Sequence, residues 1–476
     1  VDTLDLSWHA HLVRDESGAG RTAVTGDAVV IGAGMAGLTA ARVLADRFAR
    51  VTVVDRDSLP AEAESRRGVP QGAHPHALLA VGRTVLEELF PGLTDELVEL
   101  GARWIDVVRD AIVWQLDGHR VRADSGIEML CMSRPLLESC VRRRLRALPN
   151  VELRSNTAVA GLTGHRGRRV SGVELADGGE LPADLVVDAS GRGSRSDSWL
   201  RDLGFPAAPE SVITVRMHYT TRLVRGRLDR LGGPGMLVAA ESPPGHRRYG
   251  AAFPLEGDRW FVTLGGYHGD RAPTDPEGFQ RFADELPESS IAELLRGAES
   301  LSDPATYSFP TSRRRHFERL RLVPAGYVAV GDAVCSFNPV YGHGMTVAAL
   351  EAVTLGKCLD RHGSADASLA RDFYRRSAGL IAVAWDMAAS ADFTYPDTTG
   401  PRPRGLAVTH WYQRRIVRAT HVSAEVTGAI VRVQHLIEPA TILLRPAMVA
   451  KVLRAARQAR RAQPATTRRT APDRSR

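Results

Sequence analysis

The chain is poor in cysteine, with Cys131, Cys140, Cys335 and Cys358 the four such residues among 476. They show neither CxxC spacing nor a disulfide framework, which excludes a stapled secreted scaffold and fits a reducing, cytoplasmic setting. Long apolar runs are also missing. No stretch approaches the ~18 residues of a spanning helix. The first 26 residues lack a basic start and an apolar run, so they predict a disordered N-terminal segment (1–26) and no cleaved leader. The body of the chain lacks net charge as well. The formal total is +7, yet residues 451–476 hold nine Lys/Arg against the single acid Asp473, which leaves −1 for the rest. A nucleic-acid-binding body is thereby excluded. Residues 461–476 predict a basic disordered tail, with at most weak membrane association. Hydrophobic content of 43% and charged content of 25% are ordinary for a globular protein, and the length allows two or three domains.

What is present begins with DAVVIGAGMAGLTAARVLADRFARVTVVDRD at residues 27–57. Ala28 to Ile31 reads as a buried parallel strand. Gly32-Ala33-Gly34-Met35-Ala36-Gly37 opens a helix predicted to run to about Arg47, and Val51 to Val54 is a second strand ending at Asp55. Gly32 permits the turn, Gly34 lets backbone approach a pyrophosphate, and Gly37 lets helix and strand pack closely. The helix N-terminus offers free N–H groups to phosphate, and Asp55 is placed to accept from ribose hydroxyls. Strand, turn, helix and acid together meet the context a dinucleotide site requires. FAD and NAD(P) both satisfy it.

Two later segments separate these cofactors. DLVVDASGRGSR (184–195) runs an apolar strand into a glycine-rich turn. At 326–350, a strand over Tyr327 to Val330 leads to Gly331-Asp332, a loop, and a helix from about Met345. Asp332 at a strand end can bind the ribityl hydroxyls of a flavin. The Gly342-His343-Gly344 turn brings N–H groups and a helix N-terminus toward the ring. Reduced flavin is anionic, and such a terminus stabilises it by roughly 0.3–2 kcal/mol.

Together these three segments resemble the group A flavin monooxygenases, typified by para-hydroxybenzoate hydroxylase and squalene epoxidase. The likeness is greatest to the flavin epoxidases of bacterial polyether-antibiotic biosynthesis. Arg67-Gly68-Val69-Pro70-Gln71 with His74 and His76, Ser133 to Glu138 (SRPLLE), and Phe337 to Met345 (FNPVYGHGM) carry it further, over roughly residues 27–390. The resemblance implies a Rossmann-like FAD-binding domain of the glutathione-reductase type, an inserted antiparallel-sheet substrate domain and a C-terminal helical region. It implies tightly bound, non-covalent FAD, with Gly32 to Gly37, Asp55 and Arg56 on the ADP half. Arg67 and Arg134 would face the pyrophosphate or ribityl region, and Val159 the adenine. Asp332 would meet the ribityl chain, and Pro339, Gly342, Gly344 and Met345 would line the ring. The implied activity is insertion of one oxygen atom from O2, by way of a flavin C4a-hydroperoxide, into a large apolar polyketide or terpenoid. Electrons would come from NADPH or a partner flavin or ferredoxin reductase. Two departures bear on this. Ser190-Gly191 stands where many members carry Asp-Gly, which leaves open direct reduction by NADPH. It also leaves open a non-redox cyclase with bound FAD, and a double-bond reductase of the geranylgeranyl type stays open because it shares all three motifs. The WxWxIP stretch of flavin halogenases is absent, which disfavours halogenation.

The expected organisation is an FAD-binding domain from 27–82, 130–204 and 311–370, a substrate domain from 83–129 and 205–310, and a helical cap over 371–460. Residues 212–221, 248–253 and 259–265 read as strands of the roof, 276–300 as helix, and the Gly/Pro-rich LGGPGM and ESPPGH as rim loops. Four groups carry two readings each. His74-Pro75-His76 is a metal pair or, better, a loop near the flavin; no metal site is expected. Arg313-Arg314-Arg315-His316 is an anion site or a solvated run. Cys335 is a thiolate or a small packed residue. His343 is a proton shuttle or a spacer of backbone, and no other side chain is singled out as catalytic.

Overall fold

The computed structural model describes residues 26–228, 235–240 and 246–462. The N-terminal segment before Gly26, most of the two rim loops and the tail after Ala462 lie outside the described residues.

A parallel five-stranded sheet forms the centre, in the order Tyr327–Ala329, Leu185–Asp188, Asp27–Ile31, Arg50–Val54, Val151–Arg154. The first four of these strands are apolar and almost wholly buried, as expected of a sheet covered on both faces, while the edge strand Val151–Arg154 is partly exposed. Their register decides where chemistry can occur. Ile31 pairs with both Val54 and Asp188, and Asp188 pairs with Ala329. Four strands therefore end at one level, and the turns after three of them adjoin: Ala189 N–H donates to Ile31 O, and Val330 N–H to Asp188 O. The switch in strand order at this edge is where such sheets bind ligands. Helix Met35–Ala45 leaves the first strand and packs on helix Gly344–His362, where Gly356 leaves no room for a Cβ against Val43.

A larger sheet roofs this edge. Its order is Cys335–Ser336, Ala305–Arg315, Glu210–Arg225, Arg259–Tyr267, Arg248–Pro254, Met236–Ala240, Ala111–Gln115, Gly118–His119, with Glu299–Ser300 beside Glu210–Arg225. The three expected roof strands are present with longer bounds. The sheet departs from the expected antiparallel pattern once, where Met236–Ala240 pairs parallel with Ala111–Gln115. The helix expected over 276–300 is two, Pro276–Asp284 and Ser290–Arg296. Pro287 falls between them; a proline lacks the N–H a helix interior needs and collides with the preceding turn.

The expected domain limits also shift. Strand Ala305–Arg315 crosses the 310/311 boundary unbroken. Helix Ala80–Leu89 extends the FAD-binding side past residue 82, because Gly82 lies where a Cβ would meet Thr346 Oγ1 of the Gly344 helix at 2.4 Å. The helical region starts at Ala367 with the Ala367–Asp392 helix and continues through Leu406–Ala419, Ala424–Gln434 and Pro446–Ala462. Arg461 and Ala462 are thus helix rather than tail. The last three of these helices gather a small core of their own around Ile416, Val426 and Val452. Among the described residues no helix is long and apolar enough to cross a membrane.

Candidate active site

One cavity of about 1760 Å³ runs from the first glycine turn, across the ends of the parallel strands, to the roof sheet and the C-terminal helices. Sites for a single small ligand hold about 300–1,000 Å³. The space here suits an elongated ligand and a second molecule together.

At one end lie Gly32, Gly34, Met35, Ala36, Asp55 and Arg56, with Thr157, Ala158 and Val159 opposite. Gly32 holds φ +101°, a left-handed value that suits glycine, and its N–H donates to Val54 O at 2.8 Å. A Cβ on Gly37 would sit 1.8 Å from Gly32 O, so helix and turn touch there, and Gly37 faces away from the cavity. A Cβ on Gly34 would meet nothing within 4 Å. The Met35–Ala45 helix has no side-chain cap, so its first N–H groups face that space. Asp55 is buried, and its carboxylate accepts from Ala33 N–H (2.7 Å), Asp57 N–H (2.9 Å) and Arg66 Nη1 (3.0 Å). Ala33 therefore braces the turn rather than lining the cavity. Arg67 is a correction. It is exposed and off the cavity wall, while Arg66 takes the inward place, bonded to Asp55, to Glu138 and to Ala33 O. Two adjacent arginines on an irregular loop carry no periodicity that could tell them apart.

In the middle, Arg134, Ser190, Gly191, Gly331 and Asp332 converge. Ser190 does not reach out: its hydroxyl donates to the buried Asp188 at 2.5 Å, and Asp188 also accepts from Ser194 and from Tyr327. Arg192 was missed by sequence reasoning. It donates to Ser336 Oγ and Thr311 Oγ1, lies over the Phe309 ring at 4.5 Å, and joins Arg134 in lowering the Asp332 pKa. Burial is the stronger influence and raises the Asp332 pKa above the usual carboxylate value. The Gly331 N–H donates to Glu351 Oε2 at 2.8 Å, and burial pushes that carboxyl up to about 8.

At the far end, where the resemblance would place the ring, Pro339, Gly342, Gly344 and Met345 line the wall, and Gly342 holds φ +70°. A Cβ on Gly344 would meet nothing within 4 Å, so the start of its helix opens onto the cavity. His343 is 2% exposed. Its Nε2 bonds Gln434 O at 2.9 Å, its Nδ1 has no hydrogen-bond partner among the described residues, and burial lowers its pKa. Its ring thus ties the turn to the C-terminal helices.

The roof over this end is aromatic and sparsely polar. Tyr219, Tyr249, Tyr267, Tyr307 and Phe309 descend from the sheet, and Tyr395 stacks on Tyr267 at 4.4 Å. His74 bonds Thr221 Oγ1 at 2.7 Å and packs edge-on to Tyr219; burial lowers it to about 4, so it is neutral at physiological pH. His76 bonds His74 O, and burial chiefly lowers it to about 3. No group of three or more His, Cys, Asp or Glu among the described residues could hold a metal. Behind the tyrosines lies Asp392, which accepts from Asn338 (2.8 Å) and Tyr341 (3.2 Å) and leaves Oδ2 buried without a hydrogen-bond partner among the described residues. Burial raises it to about 7, against those two bonds. The Arg313–His316 run is spent on structure. Arg315 is buried between Asp197 and Glu210, and Arg314 and His316 bond Glu318. Cys335 is a buried thiol whose pKa burial raises.

These features fit FAD: two glycine-opened helix starts, an acid under the charge of two arginines just beyond the Tyr327–Ala329 strand, and a dry aromatic roof beyond. The fold is a mixed α/β fold of the Rossmann-like, FAD-binding kind. Residues 27–124 match the family model described as FAD dependent oxidoreductase. The chain is 34% identical over 392 residues to Protein Rv3254 of Mycobacterium tuberculosis (strain ATCC 25618 / H37Rv), a match covering 79% of this chain and 82% of that protein. The chain belongs to one family with this mycobacterial protein. Among solved structures, PqsL of Pseudomonas aeruginosa, a probable FAD-dependent monooxygenase, superposes with a TM-score of 0.60 at 18% identity. It covers 78% of this chain and 97% of its own. The flavin-dependent brominase Bmp2 gives 0.64 at 14% identity over 92% of this chain and 100% of its own. At these identities the likeness is one of fold.

Proposed function

We propose that this protein is an FAD-dependent monooxygenase that places one oxygen atom from O2 on a large, mainly apolar metabolite of polyketide or terpenoid type, by epoxidation or hydroxylation. The observation that carries the reading is the single cavity, which joins the three strand-end turns to an aromatic roof. A site that must exclude water from a reactive oxygen donor needs such a roof. FAD, when bound, supplies the redox and oxygen chemistry. The chain's own residues do the rest. Gly32, Gly34 and the Met35–Ala45 helix start would hold the pyrophosphate, Arg66 and Asp55 would fix that turn, and Asp332 would orient the ribityl chain. The start of the Gly344–His362 helix would favour negative charge on the ring. Tyr219, Tyr249 and Tyr267 would position the substrate. NADPH, or a separate flavin or ferredoxin reductase, would donate electrons.

The test supplies purified holoprotein with reductant, oxygen-18 gas and candidate polyenes. Label in the product is expected. Turnover without reductant or oxygen would move the assignment to a cyclase, and an anaerobic saturated product to a double-bond reductase.

A further inference from the structure

Large apolar side chains gathered in solvent mark a surface that meets something else. Among the described residues, the most exposed of these are Val408 at 71%, Leu444 at 62% and Trp411 at 49%. All three lie in the C-terminal helical region. Val408 and Trp411 stand one turn apart on the same side of the Leu406–Ala419 helix. Leu444 is brought beside that helix, because the Tyr412 hydroxyl donates to Leu443 O at 2.5 Å.

The same region is basic. The Leu406–Ala419 helix holds Arg414, Arg415 and Arg418, the Pro446–Ala462 helix holds Lys451 and four arginines, and neither contains an acid. The two helices pack through Ile416, Val452 and Ala455, which leaves Arg454, Arg457, Arg460 and Arg461 exposed. Charges on both helices act on one another: burial, then Arg460, Arg414 and Arg415, lower the Arg418 pKa. Two acids on neighbouring elements oppose them, Asp117 acting on Arg418 and Glu425 pairing with Lys451. Basic and apolar groups also touch. Arg415 lies over the Trp411 ring at 3.6 Å and donates to Trp411 O at 2.8 Å. Trp411 and the three arginines of its helix line the cavity, so the half-exposed Trp411 stands at the cavity rim.

We propose that this face docks on an anionic membrane surface, with Val408, Trp411 and Leu444 entering the headgroup layer. Helices that lie in a bilayer interface combine Lys/Arg on one side with tryptophan and aliphatic groups that enter it. Tryptophan favours the headgroup level, and each Lys or Arg near an anionic leaflet adds attraction. Charge alone would also suit an acidic protein; the protruding valine and leucine favour an apolar layer. Docking holds the cavity rim against the bilayer, where an apolar substrate dissolves. That delivery rests on the substrate reading above, whereas the docking stands on the surface itself.

The experiment floats the flavin-loaded full chain with vesicles of phosphatidylcholine, or of phosphatidylcholine and phosphatidylglycerol in equal parts. The mixed vesicles are expected to bind at least about tenfold more tightly and to release the protein at high salt. Arg457→Gln combined with Arg460→Gln should weaken that binding at least about tenfold. Val408→Ser and Leu444→Ser should each weaken it several-fold, with flavin content and melting temperature unchanged. Brominated acyl chains should quench tryptophan emission in the parent and much less in Trp411→Phe. Equal binding to both vesicle types overturns the proposal, as does anionic binding that survives the paired glutamine variant. Soluble polyglutamate bound as tightly as the mixed vesicles, with no loss of vesicle binding in Val408→Ser, indicates an acidic protein and overturns it too. If Leu444→Ser fails to fold, Val408→Ser decides. The measurement needs no turnover, so a product without oxygen-18 label would sink oxygen transfer yet leave docking standing.

Discussion

An added Cβ at Gly37 would lie 1.8 Å from Gly32 O, while one at Gly34 would meet no atom within 4 Å. Substitutions three residues apart should therefore fail in different ways. Gly37→Ala is expected to lower stability by about 1–3 kcal/mol through overpacking, read as a fall in melting temperature with or without flavin. Gly34→Val should fold with an unchanged melting temperature as apoprotein but lose flavin at least about tenfold, read from the 450 nm absorbance of the purified protein, through bulk where the pyrophosphate must approach. The sequence shows this division of labour among the glycines, because each task belongs to a fixed place in the turn. It does not show that Arg66 rather than Arg67 turns inward, nor that Arg192 reaches Ser336 and Thr311. Those placements depend on contacts between residues distant in the chain, Arg66 with Ala33 and Glu138 and Arg192 with residues more than a hundred positions away. Asp392 is hidden for the same reason: nothing near it in sequence marks a buried acid. Its folded pKa of about 7 lies above the ordinary 3.8, so the folded state holds a proton that the unfolded state releases. Its contribution thus turns against folding as pH rises from about 4 to about 7 and levels off beyond. Asp392→Asn should therefore gain melting temperature relative to the parent at pH 8 and lose that advantage at pH 4; a difference flat across this range would refute the assignment.

The Gly331 turn shows how one element depends on another. Its N–H is buried and donates to Glu351, a residue inside the Gly344–His362 helix. Glu351→Ala should leave that donor without a partner and cost about 1–3 kcal/mol, whereas Glu351→Gln keeps the acceptor and should recover most of it. Chemical denaturation of the three proteins side by side makes the measurement. Elements of this kind are largely legible from sequence. Apolar runs mark the parallel strands, and alternation marks the roof strands to within a few residues. The split at Pro287 is also written in the sequence, but the apolar positions Phe279, Phe282, Ile291 and Leu294 keep near-helical spacing on either side and mask it. Parallel pairing of Ala111–Gln115 with Met236–Ala240 has no local signature, since partner choice is decided by the assembled sheet.

Across the whole molecule the four cysteines are buried, at 4% exposure or less. A thiol reagent should find none in the native protein within minutes and all four after denaturation; rapid native labelling of Cys335 would show that the centre opens more readily than its packing implies. Roof and floor are also one piece, because strand Ala305–Arg315 runs from the roof sheet to the Cys335–Ser336 strand just beyond the Gly331 turn. Motifs predict the cavity's floor, but its extent over the C-terminal helices becomes visible only once the chain is folded.

The central sheet also carries a consequence for synthesis. Its middle strand is Asp27–Ile31 and its last is Tyr327–Ala329, so about 300 residues separate the first glycine turn from the third. A ribosome moving at ~5–20 residues per second needs roughly 15–60 s to cover that distance. Throughout that interval the nascent chain can display one half of a vitamin-derived ligand's berth and not the other. Nascent chains arrested before residue 331 should stay colourless, and uptake of the yellow pigment would then report that translation has passed the third glycine turn.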